Sequence, residues 1–177
     1  MFRFVAFLRG INVGGHLVVK EKLQDTFSSL GFQNVFTYKQ SGNVVFETDS
    51  TDPQKVKSKI EEKLAITLGY KVPVFLRTFS QLKSIINLDS FKNQNIEGAS
   101  FLVTFLPYPL FTFPLQLPLT IPKSTAQVIS VVGDEVFSVT HGGGEGALPN
   151  PFLESKLKVK TTTRNLNIIK EIIKKYS

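Results

Sequence analysis

The chain has 177 residues, of which 42% are hydrophobic and 20% charged, and its formal net charge is +7. A chain of this length and composition folds as one substantial globular domain or as two small ones. The absence of cysteine excludes disulfides and Cys-based metal sites, and no apolar run is long enough to span a membrane, so we expect a cytoplasmic protein without a membrane partner.

The first half of the chain predicts strands and helices in the order β-α-β-β-α-β. Asp52 followed by Pro53 is a typical helix start, and Gly31 and Gly69 are typical helix ends. The β-favouring runs predict strands over 3–9, 34–39, 43–48 and 71–78, and apolar residues at helical spacing predict helices over 20–30 and 53–68. This order is typical of a ferredoxin-like α+β fold with the antiparallel strand order 4-1-3-2.

The second half predicts a second, smaller α+β subdomain, and we place the two subdomains at 1–78 and 79–177. Thr78 and Gln81 predict a capping box at the start of a helix. The elements expected after it are a strand over 100–106, a hairpin across Gly133 and Asp134, a helix over 152–159 and a terminal helix over 164–176. The crossover 106–122 holds five of the nine prolines, which excludes a regular helix or a central strand.

The expected strand order brings two glycine-bearing loops to one edge of the first sheet. Strand one ends at the edge where strand two turns into strand three, so "LRGINVGG" (8–15) lies beside "YKQSGN" (38–43). We expect this edge to bind a small anionic or phosphate-bearing ligand. The candidate ligand-binding residues in the two loops are Arg9, Asn12, Gly14, Gly15, Gln40, Ser41 and Asn43.

Neither common nucleotide-binding motif is present in 10–15. The spacing G-x-x-x-x-G is met, but His16 and Leu17 stand where a P-loop needs Lys and Ser or Thr. The dinucleotide fingerprint G-x-G-x-x-G is also absent. The glycines therefore predict no cofactor, and the loop either binds an anion at the start of the next helix or only forms a tight turn.

A second candidate cluster is "TTTRN" (161–165), at the start of the predicted terminal helix. Thr163, Arg164 and Asn165 offer an anion a helix cap, free amides and a guanidinium fork. The alternative is that one threonine caps the helix and Arg164 is solvated. The segment 154–177 has seven Lys/Arg against two Glu, which favours either an anionic partner or lysines that stabilise a helix C-terminus.

The sequence assigns no catalytic residue and no metal site. His16 and His141 are the only histidines, and neither has a partner at zinc-ligand spacing. No activated nucleophile is evident either. Whether the protein is an enzyme therefore stays open.

The motifs "LRGINVGG" (8–15), "LGFQNVFTYKQSGNVVF" (30–46) and "TTTRNLN" (161–167) resemble a widespread family of small bacterial proteins, domain of unknown function 1697 (DUF1697). The resemblance implies two α+β subdomains, the first of them ferredoxin-like, and it brings no established activity or catalytic residues. The chain departs from the family pattern at Leu166, where a Trp is usual, and at His16, Leu17 and Val18, where Lys-rich residues are usual.

Three classes of function are compatible with these features. The first is the binding of an anionic, phosphate-bearing small ligand, and the second is a metal-independent enzyme acting on a phosphorylated or amide-bearing substrate. The third is an interaction module that binds RNA or single-stranded DNA on its sheet face, or a protein partner on the crossover. The crossover side chains Phe111, Phe113, Leu115 and Leu117 either bind a partner or fill the core between the two halves, and we favour the core.

Overall fold

The computed structural model describes residues 1–12, 17–39, 42–88, 98–107, 112–141 and 148–177. Helices and strands are mixed along the chain and form two antiparallel sheets, which confirms the predicted α+β class. The chain divides into two compact units. The first comprises Met1–Leu82 with Tyr176–Ser177, and the second comprises Lys83–Lys175.

The first unit contains a four-stranded antiparallel sheet with the order β2-β3-β1-β4. Its strands are β1 (Phe2–Leu8), β2 (Gln33–Thr37), β3 (Asn43–Thr48) and β4 (Val74–Thr78), and its connecting helices are α1 (Lys20–Ser28) and α2 (Pro53–Leu68). β1 is central and pairs with both β3 and β4. The connectivity and the strand order 4-1-3-2 are those predicted from the sequence.

Alternate side chains of the sheet and one stripe of each helix form the core of the first unit. The buried stripe on α2 repeats every four residues, close to the helical period, and the core side chains of β1 repeat every second residue, as the period of a strand requires. These residues include Phe4, Ala6, Leu8, Phe27, Phe46, Val56, Ile60 and Leu64. Phe27 and Phe46 meet edge to face with their ring centroids 5.4 Å apart. Full burial of each such side chain contributes about 1.5 to 3 kcal/mol.

Local capping groups set both ends of α2 and the start of α3, as predicted, whereas α1 ends at Ser28 with Ser29 as its C-cap, before the predicted Gly31. Asp52 accepts hydrogen bonds from two backbone N–H groups in the first turn of α2, at 3.0 and 3.1 Å, and Gly69 ends the helix with a φ of 81°. The N–H of Thr78 donates to Oε1 of Gln81 at 2.8 Å, and the N–H of Gln81 donates to Oγ1 of Thr78 at 3.2 Å. This reciprocal pair is the predicted capping box, and it begins α3 (Phe79–Asn87).

On the face of the first sheet opposite α1 and α2 the central side chains are also buried, whereas Phe36, the partner of Val45 on the edge strand β2, is 43% exposed. Val5, Phe7 and Val45 are each at most 1% exposed. An RNA-binding sheet of this kind stacks bases on exposed aromatic side chains. These three side chains do not offer such a surface.

Tyr176 packs on β2 within the first unit. Its ring stacks on Phe36 with the centroids 5.3 Å apart and meets Tyr38 edge to face at 6.3 Å. Its hydroxyl donates to the carbonyl of Thr37 at 3.5 Å, and the guanidinium of Arg3 donates to its carbonyl oxygen. The first unit is therefore completed by a residue distant from it in sequence.

A small charged network joins β1, β2 and β3 of the first sheet. Nε and Nη2 of Arg3 donate to Glu47 at 2.8 and 2.6 Å, and Nδ2 of Asn34 donates to the other carboxylate oxygen at 2.6 Å. The hydrogen bond from Asn34, and then that from Arg3, holds the pKa of Glu47 below its ordinary value. The carboxylate is thus held in its charged form.

The second unit contains a five-stranded antiparallel sheet with the order β6-β7-β8-β5-β9. Its elements are β5 (Ala99–Phe105), β6 (Leu119–Thr120), β7 (Ala126–Val132), β8 (Glu135–His141), α4 (Asn150–Leu157), β9 (Thr162–Asn165) and α5 (Leu166–Tyr176). β7 and β8 form the predicted hairpin, with Gly133 at a φ of 58° in its turn. Leu153 of α4 packs in a core cluster with Ala126, Val128 and Val136 from β7 and β8.

In the part of the crossover that the structure describes, the one regular element is the edge strand β6, as the proline content requires. Phe113 is half-buried and packs against the core cluster of the second unit that contains Leu153, which favours a core interpretation over a partner surface for this residue. Leu117 is 38% exposed, so that interpretation is wrong for its side chain. Phe111 lies outside the described residues.

The predicted helix over 164–176 needs a correction at its start. Residues 162–165 form β9, which pairs with β5, and α5 begins at Leu166. The β-branched Thr163 suits a strand, and its hydroxyl hydrogen-bonds that of Thr104 on β5 at 2.7 Å. The cap is Asn165, whose Oδ1 accepts from the N–H of Asn167 at 2.9 Å. No threonine is therefore needed as the cap.

Candidate functional site

Three connections of the first unit meet at one edge of its sheet, where β1 ends and where β3 and β4 begin. The N–H of Leu8 donates to the carbonyl of Gly42 at 2.8 Å, and the N–H of Arg9 donates to the carbonyl of Pro73 at 2.9 Å. We call the described residues of these connections, 9–12, 17–20, 38–39, 42–43 and 69–73, the loop edge. The predicted juxtaposition of the β1–α1 loop with the β2–β3 turn is thus observed at Leu8 and Gly42, and the α2–β4 connection joins them.

Gly42 is the closest point between the first two connections. Its φ is 66°, in the left-handed region that favours glycine. A Cβ at this position would lie 3.1 Å from Cβ of Leu8, 3.2 Å from the Leu8 carbonyl oxygen and 3.3 Å from Cβ of Ile11. The absence of a side chain is therefore what lets the two connections approach each other.

Asn12 braces the β1–α1 connection from within. Its backbone has a φ of 59°, a conformation that Asn adopts more readily than most residues. Its Oδ1 accepts from the N–H of Val18 at 2.7 Å, which ties the beginning of the connection to the residues just before α1. The structure thus shows that Asn12 braces the loop, and its predicted contact with a ligand stays a prediction.

Asn43 closes the β2–β3 turn. It is 1% exposed, and its Nδ2 donates to the carbonyl of Tyr38 at 3.1 Å. The N–H of Tyr38 donates in turn to the carbonyl of Asn43 at 2.9 Å. This side chain has a structural partner inside the turn. The predicted site residues Gly14, Gly15, Gln40 and Ser41 lie outside the described residues.

The loop edge is positively charged in sequence. Its segments contain Arg9, Lys20, Lys39 and Lys71, and they contain no Asp or Glu. Lys39 and Lys71 are exposed, Arg9 is half-buried, and Lys20 lies 3.6 Å from the carboxylate of Glu21, the first residue beyond the edge. A second carboxylate, that of Glu61, borders the edge and accepts from the N–H of Val74 at 2.9 Å. The excess of cations raises the local concentration of anionic ligands.

The start of α1 opens on the same edge. Its N-cap residue is Val19, which supplies no side-chain hydrogen bond to the first turn. The leading N–H groups of a helix carry partial positive charge and need acceptors. A ligand oxygen at this position would meet that need.

Two concave regions of the first unit differ in size and position. A cavity of about 10 Å³, close to the volume that one water molecule requires, is lined by Asn12, Val18, Lys20, Leu23, Thr37, Lys39, Gly42 and Asn43. A groove of about 590 Å³ lies beside the start of α2 and is lined by Phe32, Thr48, Ser50, Asp52, Gln54, Lys55, Val56, Ser58, Lys59 and Glu62. Two polar groups of this groove already have structural partners: Asp52 caps α2, and Lys59 donates to the carbonyl of Leu30 at 2.8 Å.

The second predicted cluster is divided between the two faces of the second sheet. Thr163 and Asn165 alternate with Arg164 along β9, so they point to opposite faces. The guanidinium of Arg164 donates to Oγ1 of Thr162 at 2.8 Å and to the carbonyl of Thr163 at 2.9 Å. Strand geometry therefore does not present these residues to a ligand as one surface.

Within the described ranges, no group of three or more His, Asp or Glu side chains is arranged to hold a metal ion. None of the helices in those ranges is both long enough and apolar enough to cross a lipid bilayer. The pKa shift described above belongs to Glu47, on the β3 strand and outside the loop edge.

Comparison with known proteins identifies the family. The model of the family described as "Protein of unknown function (DUF1697)" matches residues 1–137. The chain belongs to this family. A structure described as that of the conserved bacterial protein SP0830 from Streptococcus pneumoniae is similar to this DUF1697 chain, with a TM-score of 0.67 and 22% identity over 99% of this chain and 98% of that one. This likeness shows a shared fold. No curated protein matches the chain.

Sequence reasoning missed part of the charge on the loop edge of this DUF1697 protein. Lys39 and Lys71 were not among the predicted site residues, although Lys39 sits inside the quoted "YKQSGN". The signal for Lys71 is topological. Because β4 runs antiparallel to β1, its beginning lies at the edge where β1 ends.

Proposed function

We propose that the loop edge of the first unit binds a small anionic ligand, of which a phosphate-bearing compound is the preferred class. The observation that carries the proposal is the set of four basic side chains on connections that meet at Leu8, Arg9 and Gly42. The excess positive charge of these connections attracts an anion.

The described residues support different roles within such a site. Arg9 and Lys39 are the candidate charge contacts, because a guanidinium and an ammonium both form strong hydrogen bonds with phosphate oxygens. Asn12 and Asn43 hold the loop and the turn in shape through Val18 and Tyr38. The uncapped start of α1 supplies backbone donors. From sequence alone, Gly14, Gly15, Gln40 and Ser41 remain proposed contacts.

Binding is favoured over catalysis at this edge. The segments of the loop edge supply basic side chains and contain no Asp or Glu that could act as a general base. General acid–base chemistry needs a positioned proton acceptor as well as a donor.

Isothermal titration at low ionic strength tests the proposal with inorganic phosphate and pyrophosphate as probes. Arg9→Ala and Lys39→Ala each remove a charge-assisted hydrogen bond, so we expect each to weaken pyrophosphate binding roughly 10- to 100-fold. Lys170→Ala is the matched control, because Lys170 is an exposed lysine on α5 and its loss changes the net charge equally. Affinity should also fall as salt is added.

The proposal is wrong if neither probe binds, or if Lys170→Ala weakens binding as much as Arg9→Ala does. Thr163, Arg164 and Asn165 remain a separate prediction. Arg164→Ala in the same titration tests it, and only a loss of affinity specific to that variant would add this cluster to the site.

A further inference from the structure

Two apolar side chains stand exposed beside the loop edge, at the start of α1. Leu17 is 82% exposed and Val19 is 62% exposed, whereas Val18 between them is 7% exposed. The N–H of Val18 is held by Oδ1 of Asn12. The segment is therefore anchored by its middle residue, and the two side chains on either side of it are directed away from the core.

This placement differs from the scattered exposure of apolar side chains that every protein shows. Leu17 and Val19 precede Lys20 directly and share the loop edge with Arg9 and Lys39. The result is an apolar pair next to a group of cations and the uncapped start of a helix. A water-exposed pair of this size gains free energy from any ligand that covers it.

We propose that the ligand of the loop edge is an anion that carries an alkyl or aryl group, and that this group packs on Leu17 and Val19. The inference rests on the proposed function, since the anion fixes where the apolar group lies. Charge complementarity selects this occupant: the neighbouring cations favour an anionic partner, and the apolar pair favours one with an uncharged, water-excluding part. A bare phosphate ion satisfies the first requirement only.

The test compares inorganic phosphate with phenyl phosphate by titration calorimetry. Phenyl phosphate should bind the natural protein about tenfold more tightly, which corresponds to about 1.4 kcal/mol and to about 55 Å² of apolar surface covered at about 25 cal/mol per Å². Leu17→Ser should reduce this preference severalfold and leave the affinity for inorganic phosphate unchanged. Val19→Ala, which adds no capping group to α1, should reduce the preference as well. Val132→Ala is the control, because Val132 is an exposed valine at the end of β7.

The two proposals fail in distinguishable ways. If neither phosphate compound binds, the proposed function is wrong and this inference falls with it. If inorganic phosphate binds and phenyl phosphate binds no better, or if Leu17→Ser leaves the preference intact, only the present inference is overturned. It is also overturned if light scattering shows a dimer that Leu17→Ser dissociates, because a second copy of the chain would then cover the pair.

Discussion

The closeness of the two connections at Gly42 makes a sharp prediction about Gly42→Ala. The added Cβ meets two penalties. A φ of 66° costs a residue with a side chain about 1 to 2 kcal/mol. In addition, the Cβ would lie 3.1 to 3.3 Å from three atoms: Cβ and the carbonyl oxygen of Leu8, and Cβ of Ile11. None of these three atoms can rotate away. Forcing them apart costs about 1 to 3 kcal/mol, so the free energy of unfolding should fall by about 2 to 5 kcal/mol.

Gly69→Ala separates the two penalties. Gly69 has a φ of 81° at the end of α2, and nothing lies within 4 Å of the position its Cβ would take. This control therefore carries only the backbone cost. The chain contains no tryptophan, so far-UV circular dichroism is the appropriate signal for unfolding in urea. Gly42→Ala should be less stable than Gly69→Ala by about 1 to 3 kcal/mol.

Equal stability of these two variants would refute the reasoning. It would mean that the β2–β3 turn does not press against Leu8 and Ile11. The loop edge would then lack the contact that joins its first two connections. A lower affinity for pyrophosphate in Gly42→Ala than in Gly69→Ala would extend the same argument from stability to binding.

Two other predictions concern buried and charged polar groups. The hydroxyl of Ser138 on β8 is fully buried and has no hydrogen-bond partner in the described chain. Ser138→Ala should therefore raise the free energy of unfolding by about 1 kcal/mol. A loss of stability in urea would contradict this prediction. Glu47→Gln should lower stability by about 1 kcal/mol at pH 7, because Asn34 and Arg3 favour the charged carboxylate. Since the folded pKa of Glu47 is lowered, this contribution is present above the unfolded value near 4.5 and is lost as the pH falls through the folded value. The two unfolding curves should therefore converge in acid, and a constant gap between them down to pH 2 would contradict the assignment.

The helix ends and the first sheet follow from the sequence because their determinants are local. Asp52 caps α2 through N–H groups two and three residues away, and Thr78 and Gln81 cap α3 across three residues. Once the order β-α-β-β-α-β is known, short connections leave few arrangements of the strands. The position of Gly42 beside Leu8 follows from that topology.

β9 does not follow from the sequence, because its determinant is remote. The three threonines 161–163 before an amphipathic helix are typical of a helix cap. The four residues of β9 are too few to show the two-residue period of a strand. What decides the structure is pairing with β5, where Thr163 meets Thr104 across 59 residues of sequence. Likewise, the sequence places Asn43 at the site but does not show that its amide is directed to Tyr38.

The contacts of Tyr176 have a consequence for the way the protein is made. The ribosome adds Tyr176 to the chain roughly 90 residues after Leu82, which is a delay of about 5 to 20 s at typical rates of synthesis. During that interval the nascent first unit presents Phe36 and Tyr38 without the ring that stacks on them. The first sheet is thus completed by a side chain made roughly 90 residues later, and in the meantime the edge strand β2 is open to chaperones and to other nascent chains.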